Sequence, residues 1–480
     1  TLTLGQSGVI PNNSAVNISS GATLNLNGFT DTVGVVAGAG SVTLGSGTLT
    51  VQPSAAYTYS GVISGSGNFT KNGTGTLTLS GSNTYTGTTT VGAGTLQLGA
   101  NDVLADTSAL SIGSSGTVNL AGYADTIGSL AGSGSLALGA GAITVGASNT
   151  STTFSGVISG SGTFTKTGSG TQTLSGANTY TGATTVSAGT LSVTNAAGLG
   201  TTAAGTTVAS GATLNLSSVA VGAEAITLSG TLSGTGTSSL SGAVALQNGT
   251  TAMNVAAGGQ LTLSGVISGA GNALNKTGAG TLVLSGANTY TGATNVNAGT
   301  LQLGASNVIA DNSAVVVASG AILKSSFTET LASISGSGTL ELGGGTLTLA
   351  SDSTIETLRI TANSVLNFTG TLAVTNFIVD AGVTFTVSNQ FYAANWWTDS
   401  GMTTRVAYNT YGTTPYNQVT ISAYASAGLD SSYTRWNQSD SYVTVPEPSA
   451  YGALAVGFAL GAGCAWRRFK VKREVATRAR

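Results

Sequence analysis

Along most of the chain, aliphatic residues alternate with small polar ones in short runs. Thr76-Leu77-Thr78-Leu79, Thr90-Val91 and Thr95-Leu96-Gln97-Leu98 are typical. A period of two puts alternate side chains on one face, and Thr and Val suit a half-buried strand. Between the runs lie Gly-Ser, Gly-Ala-Gly and Ser-Gly-Ala-Asn groups, which permit tight turns. No segment before residue 445 sustains a helical period, so the pattern predicts strands of 3 to 6 residues punctuated by Gly every 5 to 8. Such strands are too short for an ordinary sandwich.

The runs recur as copies. SGVISGSGNFTKNGTGTLTLSGSNTYTGTTTVGAGTLQLG begins at Ser60, and close variants begin at Ser155 and Ser264. A second unit alternates with it, from Gly21, Gly116, Gly211 and Gly320. The intervals of 39 residues (21 to 60, 116 to 155) and 56 (60 to 116, 155 to 211, 264 to 320) sum to a 95-residue unit. The interval from 211 to 264 is 53, so 14 extra residues are inserted in the third unit.

Short strands at fixed spacing fit a coil in which each turn stacks on the last, with hydrogen bonds running between turns. The expected fold class is all-β, a parallel β-solenoid over residues 1–390, followed by one C-terminal transmembrane helix. At roughly 20 residues a turn this makes about 19 turns and a rod roughly 90 Å long. A Gly/Ser/Thr-rich sequence also describes flexible linkers, but linkers lack a recurring aliphatic ladder, and 41% hydrophobic residues supply surface to offset chain entropy.

Three sets of polar residues repeat with the unit. Asn83, Asn178 and Asn288 stand in SGxNTYTG, followed by Tyr85, Tyr180 and Tyr290. On an exposed face these six residues would bind carbohydrate; a structural role at turns is the stronger expectation, since Asn tolerates left-handed backbone and Tyr buries its ring. Lys71, Lys166 and Lys276 recur just before turns and are expected to be solubilising charges on strand edges. Carboxylates of the kind that cleave polysaccharide would have to cluster. Asp31, Asp102, Asp106, Asp125, Glu224 and Asp311 are instead scattered, mostly in turn contexts, and Glu356 and Arg359 are expected on opposite faces of a strand. Thr-x-Thr pairs of variable spacing are weak candidates for an ice-binding face.

From Phe391 to Tyr442 the composition shifts to aromatics, among them Trp396, Trp397 and Trp436. Residues 391–444 are expected to cap the open end of the coil and act as a spacer, with a glycan-binding surface as the rival. Composition narrows the chemistry further. With 480 residues, 30 of them charged, no His and one Cys, the chain lacks the means for His-based catalysis, His or Cys metal clusters or a disulfide framework. Neither a metal nor any other cofactor is implied, and a net charge of −2 leaves no footprint for nucleic acid. The charge is also uneven. Residues 1–444 carry 7 Lys/Arg and 14 Asp/Glu, net −7, and residues 445–480 carry 7 and 2, net +5.

That tail holds the most specific signal. Val445-Pro446-Glu447-Pro448-Ser449 precedes an apolar run, 450–466, and then Arg467, Arg468, Lys470, Lys472 and Arg473. Seventeen helical residues span about 25 Å, just enough to cross a hydrocarbon core. The basic cluster would stay cytoplasmic, so the body would lie across the membrane. Cys464 is read as a small apolar residue of this helix. The chain starts at Thr1 inside a strand-like run, as expected of a mature form or fragment.

The tail resembles the PEP-CTERM sorting signal. That resemblance implies recognition of Pro446, Glu447 and Pro448 by an exosortase, an inner-membrane intermediate, and export in bacteria that make exopolysaccharide. The repeats resemble autotransporter-associated β-strand repeats, on Gly73-Thr74-Gly75-Thr76-Leu77-Thr78-Leu79-Ser80-Gly81 running into Asn83-Thr84-Tyr85-Thr86-Gly87. This second resemblance implies a right-handed passenger-type β-helix, although residues 391–480 are too few for a transmembrane barrel. The expected function is a non-enzymatic, exported cell-surface or matrix structural protein. Its partners would be an exosortase, the membrane before processing, and exopolysaccharide; the alternatives are a glycan-binding adhesin and a polysaccharide-degrading β-helix.

Overall fold

In the computed structural model, residues 1–247, 251–380 and 383–387 are described, together with the backbone of Tyr392–Trp397, Val419–Ser422, Arg435–Asn437, Tyr442–Thr444 and Ala455–Val456. The chain is an all-β parallel β-solenoid of about 19 turns, and among the described residues there is no helix. Three strand ladders form its sides. The first includes Ser135–Ala137, Val157–Ser159 and, further on, Thr281–Leu284, Thr300–Leu303 and Ile322–Ser325. The second includes Ala109–Ile112, Ser129–Gly132, Thr152–Phe154 and Thr171–Leu174. The third includes Asp125–Ile127, Ala142–Val145, Thr163–Lys166 and Thr184–Val186. The chain visits them in the order second, first, third.

Most strands alternate buried aliphatic with outward polar residues, as in Thr48–Val51 and Thr346–Leu349. The inward residues make one continuous core from Leu4 to Phe385. Stacked Leu, Val and Ile columns mean that each coil buries its apolar row against the coils before and after it. Removing one such side chain costs about 2–5 kcal/mol. Aromatic rings join this core, with Phe69 and Tyr85 centroids 6.2 Å apart and Phe164 and Tyr180 6.4 Å apart.

Glycine is required at the corners by space more than by dihedral angle. A Cβ on Gly162 would lie 1.8 Å from the Gly141 carbonyl oxygen, and one on Gly67 1.8 Å from that of Gly47. Corner backbones of successive coils touch there.

The repeat and the coil do not coincide. From Lys71 the second ladder passes through Val91, Ile112 and Gly132 to Phe154, four turns on. The counterpart lysine, Lys166, stands two sides further, on the third ladder. One unit is therefore four and two-thirds turns. From Lys166 the third ladder runs five turns to Ile267–Ser268, and Lys276 follows on the next side, which is the second ladder again. The 14 inserted residues supply the difference, and they return the third copy to the side of the first.

Parallel pairing continues through Tyr392–Trp397, where Phe377 faces Trp396 in register. Val419–Ser422 then pairs antiparallel with Thr384–Val387. The helix expected over 450–466 lies outside the described residues, except that Ala455–Val456 pairs antiparallel with Tyr442–Thr444. Among the described residues no helix is long and apolar enough to cross a membrane.

Candidate functional site

The repeated polar residues converge on the inside of the coil. Asn83 lies where the third ladder lacks a regular strand. Its Oδ1 accepts from the Ile63 N–H at 2.8 Å and its Nδ2 donates to the Val103 carbonyl at 2.8 Å. Asn178 links Ile158 and Gly198 in the same way at 2.9 and 2.7 Å, and Asn288 links Ile267 and Val308 at 2.7 and 2.6 Å. Each amide thus ties three consecutive turns together. It replaces the backbone ladder where the chain departs from it. The neighbouring Tyr85, Tyr180 and Tyr290 are fully buried, with hydroxyls bonded to Thr89, Thr184 and Thr294. Burial holds the Tyr290 phenol up at about 12. The exposed ligand face conceived for these six residues therefore lies in the interior, because the Asn amides are consumed in joining turns and the Tyr hydroxyls are held by Thr side chains four residues on.

The lysines correct the sequence expectation. Lys71, Lys166 and Lys276 are no more than 1% exposed and decorate no edge. Lys276 Nζ donates to the carbonyls of Thr277, Gly278 and Ala298 at 3.0, 2.7 and 2.9 Å. Lys166 does the same with Thr167, Gly168 and Ala188, and Lys71 with Gly73 and Ala93. An ammonium offers three donors, which suits a corner where several carbonyls point inward. Burial lowers Lys71 and Lys276 to about 8, and lowers Lys166 as well.

A fourth set was not foreseen as a set. Asp31, Asp125, Glu224 and Glu329 are all buried, although three of them read as turn residues. Asp125 Oδ2 accepts from the Val103 and Leu104 N–H groups at 3.0 Å each, one turn earlier in the chain. Glu329 takes Val308 and Ile309 at 2.9 and 3.0 Å, and Asp31 takes Val9 and Ile10 at 3.0 and 3.3 Å. Glu224 instead receives the Thr206 hydroxyl at 2.7 Å. The signal available in sequence was an aliphatic pair, Val9-Ile10, Val103-Leu104 or Val308-Ile309, with an acid about one turn later. Burial raises Asp125 and Glu329 to about 7 and raises Glu224, against the lowering effect of the hydrogen bonds.

Outside, among the described residues, the ion pairs lie near the C-terminal end of the coil. Lys324, Glu341 and Arg359 stand in one register on successive turns. Lys324 meets Glu341 at 2.8 Å, and Arg359 meets Glu341 at 3.8 Å and Asp380 at 3.1 Å. Glu356 is exposed and takes no part in these ion pairs. Each such half-exposed pair is worth about 0–1 kcal/mol. Among the described residues no group of three His, Cys, Asp or Glu is placed to hold a metal. A shallow depression of about 370 Å³ between Gln52–Ser54 and Asn72–Thr74 has no acid or base in its lining. The sorting-motif residues 445–449 and the basic residues 467–473 lie outside the described residues.

Three stretches match the Passenger-associated-transport-repeat family, residues 69–98, 164–193 and 274–303. They coincide with the segments that carry the buried lysine, asparagine and tyrosine. The chain is also similar to the Adhesin BmaC autotransporter of Brucella suis biovar 1 (strain 1330). The two are 45% identical over 113 residues, 22% of this chain and 3% of that protein. The chain thus spans only a small fraction of the length of the curated relative it matches. No solved structure matches it.

Proposed function

We propose that this chain is the exported, non-catalytic body of an adhesin-like surface protein. It acts as a rigid spacer delivered by its C-terminal tail. The observation that carries this reading is the disposition of its chemistry. The repeating Lys and Asn groups and the carboxylates of Asp31, Asp125 and Glu329 are buried and joined to the backbones of neighbouring turns, and the buried Tyr hydroxyls and Glu224 to Thr side chains, which gives stiffness and leaves no reacting groove among the described residues. Similarity to a named adhesin and to passenger-associated repeats supports surface display. The tail adds the finer part: Pro446, Glu447 and Pro448 serve as the exosortase recognition motif, the apolar run 450–466 spans the inner membrane as an intermediate, and Arg467 to Arg473 hold the end in the cytoplasm.

Antibody labelling of intact cells, with mass measurement of the exported form, tests this reading. Labelled protein lacking the basic end is the expected result. A Pro446→Ala, Glu447→Ala, Pro448→Ala variant should remain in the membrane fraction at full mass. Equal processing of that variant and the parent would remove the sorting role. Failure to label intact cells would remove surface display.

A further inference from the structure

We propose that the third ladder carries an elongated binding strip for an uncharged polysaccharide lying along the axis of the rod; this rests on the surface-display reading and names the class of ligand. The strip comes from register. Thr126, Thr144, Thr165, Thr185, Thr207 and Thr227 pair one to the next over six consecutive turns. Each is the outward residue between two buried neighbours, so six β-branched hydroxyls stand in single file at about the 4.8 Å strand spacing.

These hydroxyls differ from the other repeated threonines. Thr89, Thr184 and Thr294 are buried and bonded to tyrosine, whereas the six in file have no side-chain partner among the described residues. The flanking positions are small. Two residues before the threonines stand groups such as Ala142, Ala183 and Gly205, so the surface is flat and nothing long shields it. Three residues before Thr126 is Tyr123, 38% exposed, and the same position on the next three turns is Gly141, Gly162 and Gly182. One aromatic ring therefore stands at one end of the hydroxyl file, and the same position on the following turns adds no side chain, Gly141 and Gly162 being buried and Gly182 half-buried.

Charge selects the partner. Asp125, Lys166 and Glu224, the charged residues of these turns, are buried, and the exposed carboxylates next to the strip, Asp102 and Asp106, belong to the turn before it. A polyanion or polycation finds no counter-charge here. A neutral glycan meets groups that both donate and accept, with a ring face at one end for stacking against a sugar. A flat file of methyl and hydroxyl groups is also the kind of surface that would meet ice, so ice is the outcome to be excluded.

The test uses the full chain in affinity gels containing either hydroxyethyl cellulose, a neutral glucan, or alginate, a polyanion. Retardation by the neutral glucan that added salt leaves unchanged is expected. Thr165→Val with Thr185→Val keeps shape and strand preference but removes two hydroxyls, and it should weaken retention at least about tenfold. Thr165→Ser with Thr185→Ser should retain it, and unchanged circular dichroism establishes that both variants fold. Absence of retardation in the parent, retardation by alginate alone, or full retention by the folded Val variant overturns the proposal. Inhibition of ice recrystallisation without glucan retention also overturns it. Failure of cell-surface labelling would count against display alone and leave the gel result standing.

Discussion

The ammonium of Lys71 lies 2.8 Å from the carbonyl oxygen of Ala93, one full turn further along the chain. Lys276 and Ala298 repeat the relationship at 2.9 Å. A cation of this kind acts as a corner bracket, holding carbonyls of adjacent turns that would otherwise point into the interior unpaired. Lys276→Met keeps the apolar stem and removes the donors, and is expected to cost roughly 1–3 kcal/mol in urea denaturation. An unchanged midpoint would show that the carbonyls find other donors.

The lowered lysines also set an alkaline slope. Lys71 and Lys276 titrate near 8 in the folded chain against an ordinary value of 10.5. Between those values the unfolded chain holds more protons than the native one, so stability should rise with pH from about 8 to 10.5. Denaturation midpoints across that range, with the double Met variant as reference, measure the effect. Lys166, lowered by the same burial, keeps part of the slope in the variant, and a slope that survives undiminished would refute this origin.

The buried carboxylates give a slope of their own. Asp125 and Glu329 are raised to about 7, from 3.8 and 4.5 respectively. The native chain therefore keeps protons that the unfolded chain releases between roughly pH 4 and pH 7. Stability from this source is complete below about 4 and is lost as pH rises through 7. Asp125→Asn combined with Glu329→Gln should flatten the curve in that window and leave the alkaline limb intact.

Asn178→Ala deprives the Ile158 amide and the Gly198 carbonyl of partners on two different turns. A loss of about 2–4 kcal/mol is expected, close to the sum of two unsatisfied groups. Hydrogen exchange at Ile158 should accelerate more than exchange at Leu136, one turn away on the same ladder. Uniform acceleration along the ladder would mean that the amide serves the whole coil equally.

Two glycines separate space from flexibility. Gly162→Ala forces a methyl group against the Gly141 carbonyl and should destabilise by more than about 3 kcal/mol. Gly222→Ala meets no atom within 4 Å and should be neutral or slightly stabilising. Thermal melts of the pair decide it, and equal melting temperatures would remove the corner-contact argument.

The architecture was legible because stacking repeats itself: the Thr-Leu-Thr-Leu runs and the 95-residue interval are enough to require a coil of about 19 turns. The polar interior was less legible. Lys71 and Asp125 read as surface residues because a lone charge in a Gly/Thr-rich segment has no local pattern that marks it as buried. Its partners, Ala93 in one case and Val103 and Leu104 in the other, are a turn away and contribute backbone groups, which a sequence does not distinguish. The ion pairs of Arg359 with Glu341 and Asp380 were hidden by the same separation of about one turn, which only the coil's register closes. The file from Thr126 to Thr227 became visible only through register, since its members are 18 to 22 residues apart.

The mismatch between unit length and turn length links reach to bearing. Duplicating or deleting one whole unit would splice cleanly, because every junction is like every other, yet everything beyond it would swing round the axis by two-thirds of a revolution. Only three such events restore the original heading. Growth of the rod by recombination thus re-aims whatever its far end presents, and an insertion of 14 residues is the kind of trim that sets the aim back.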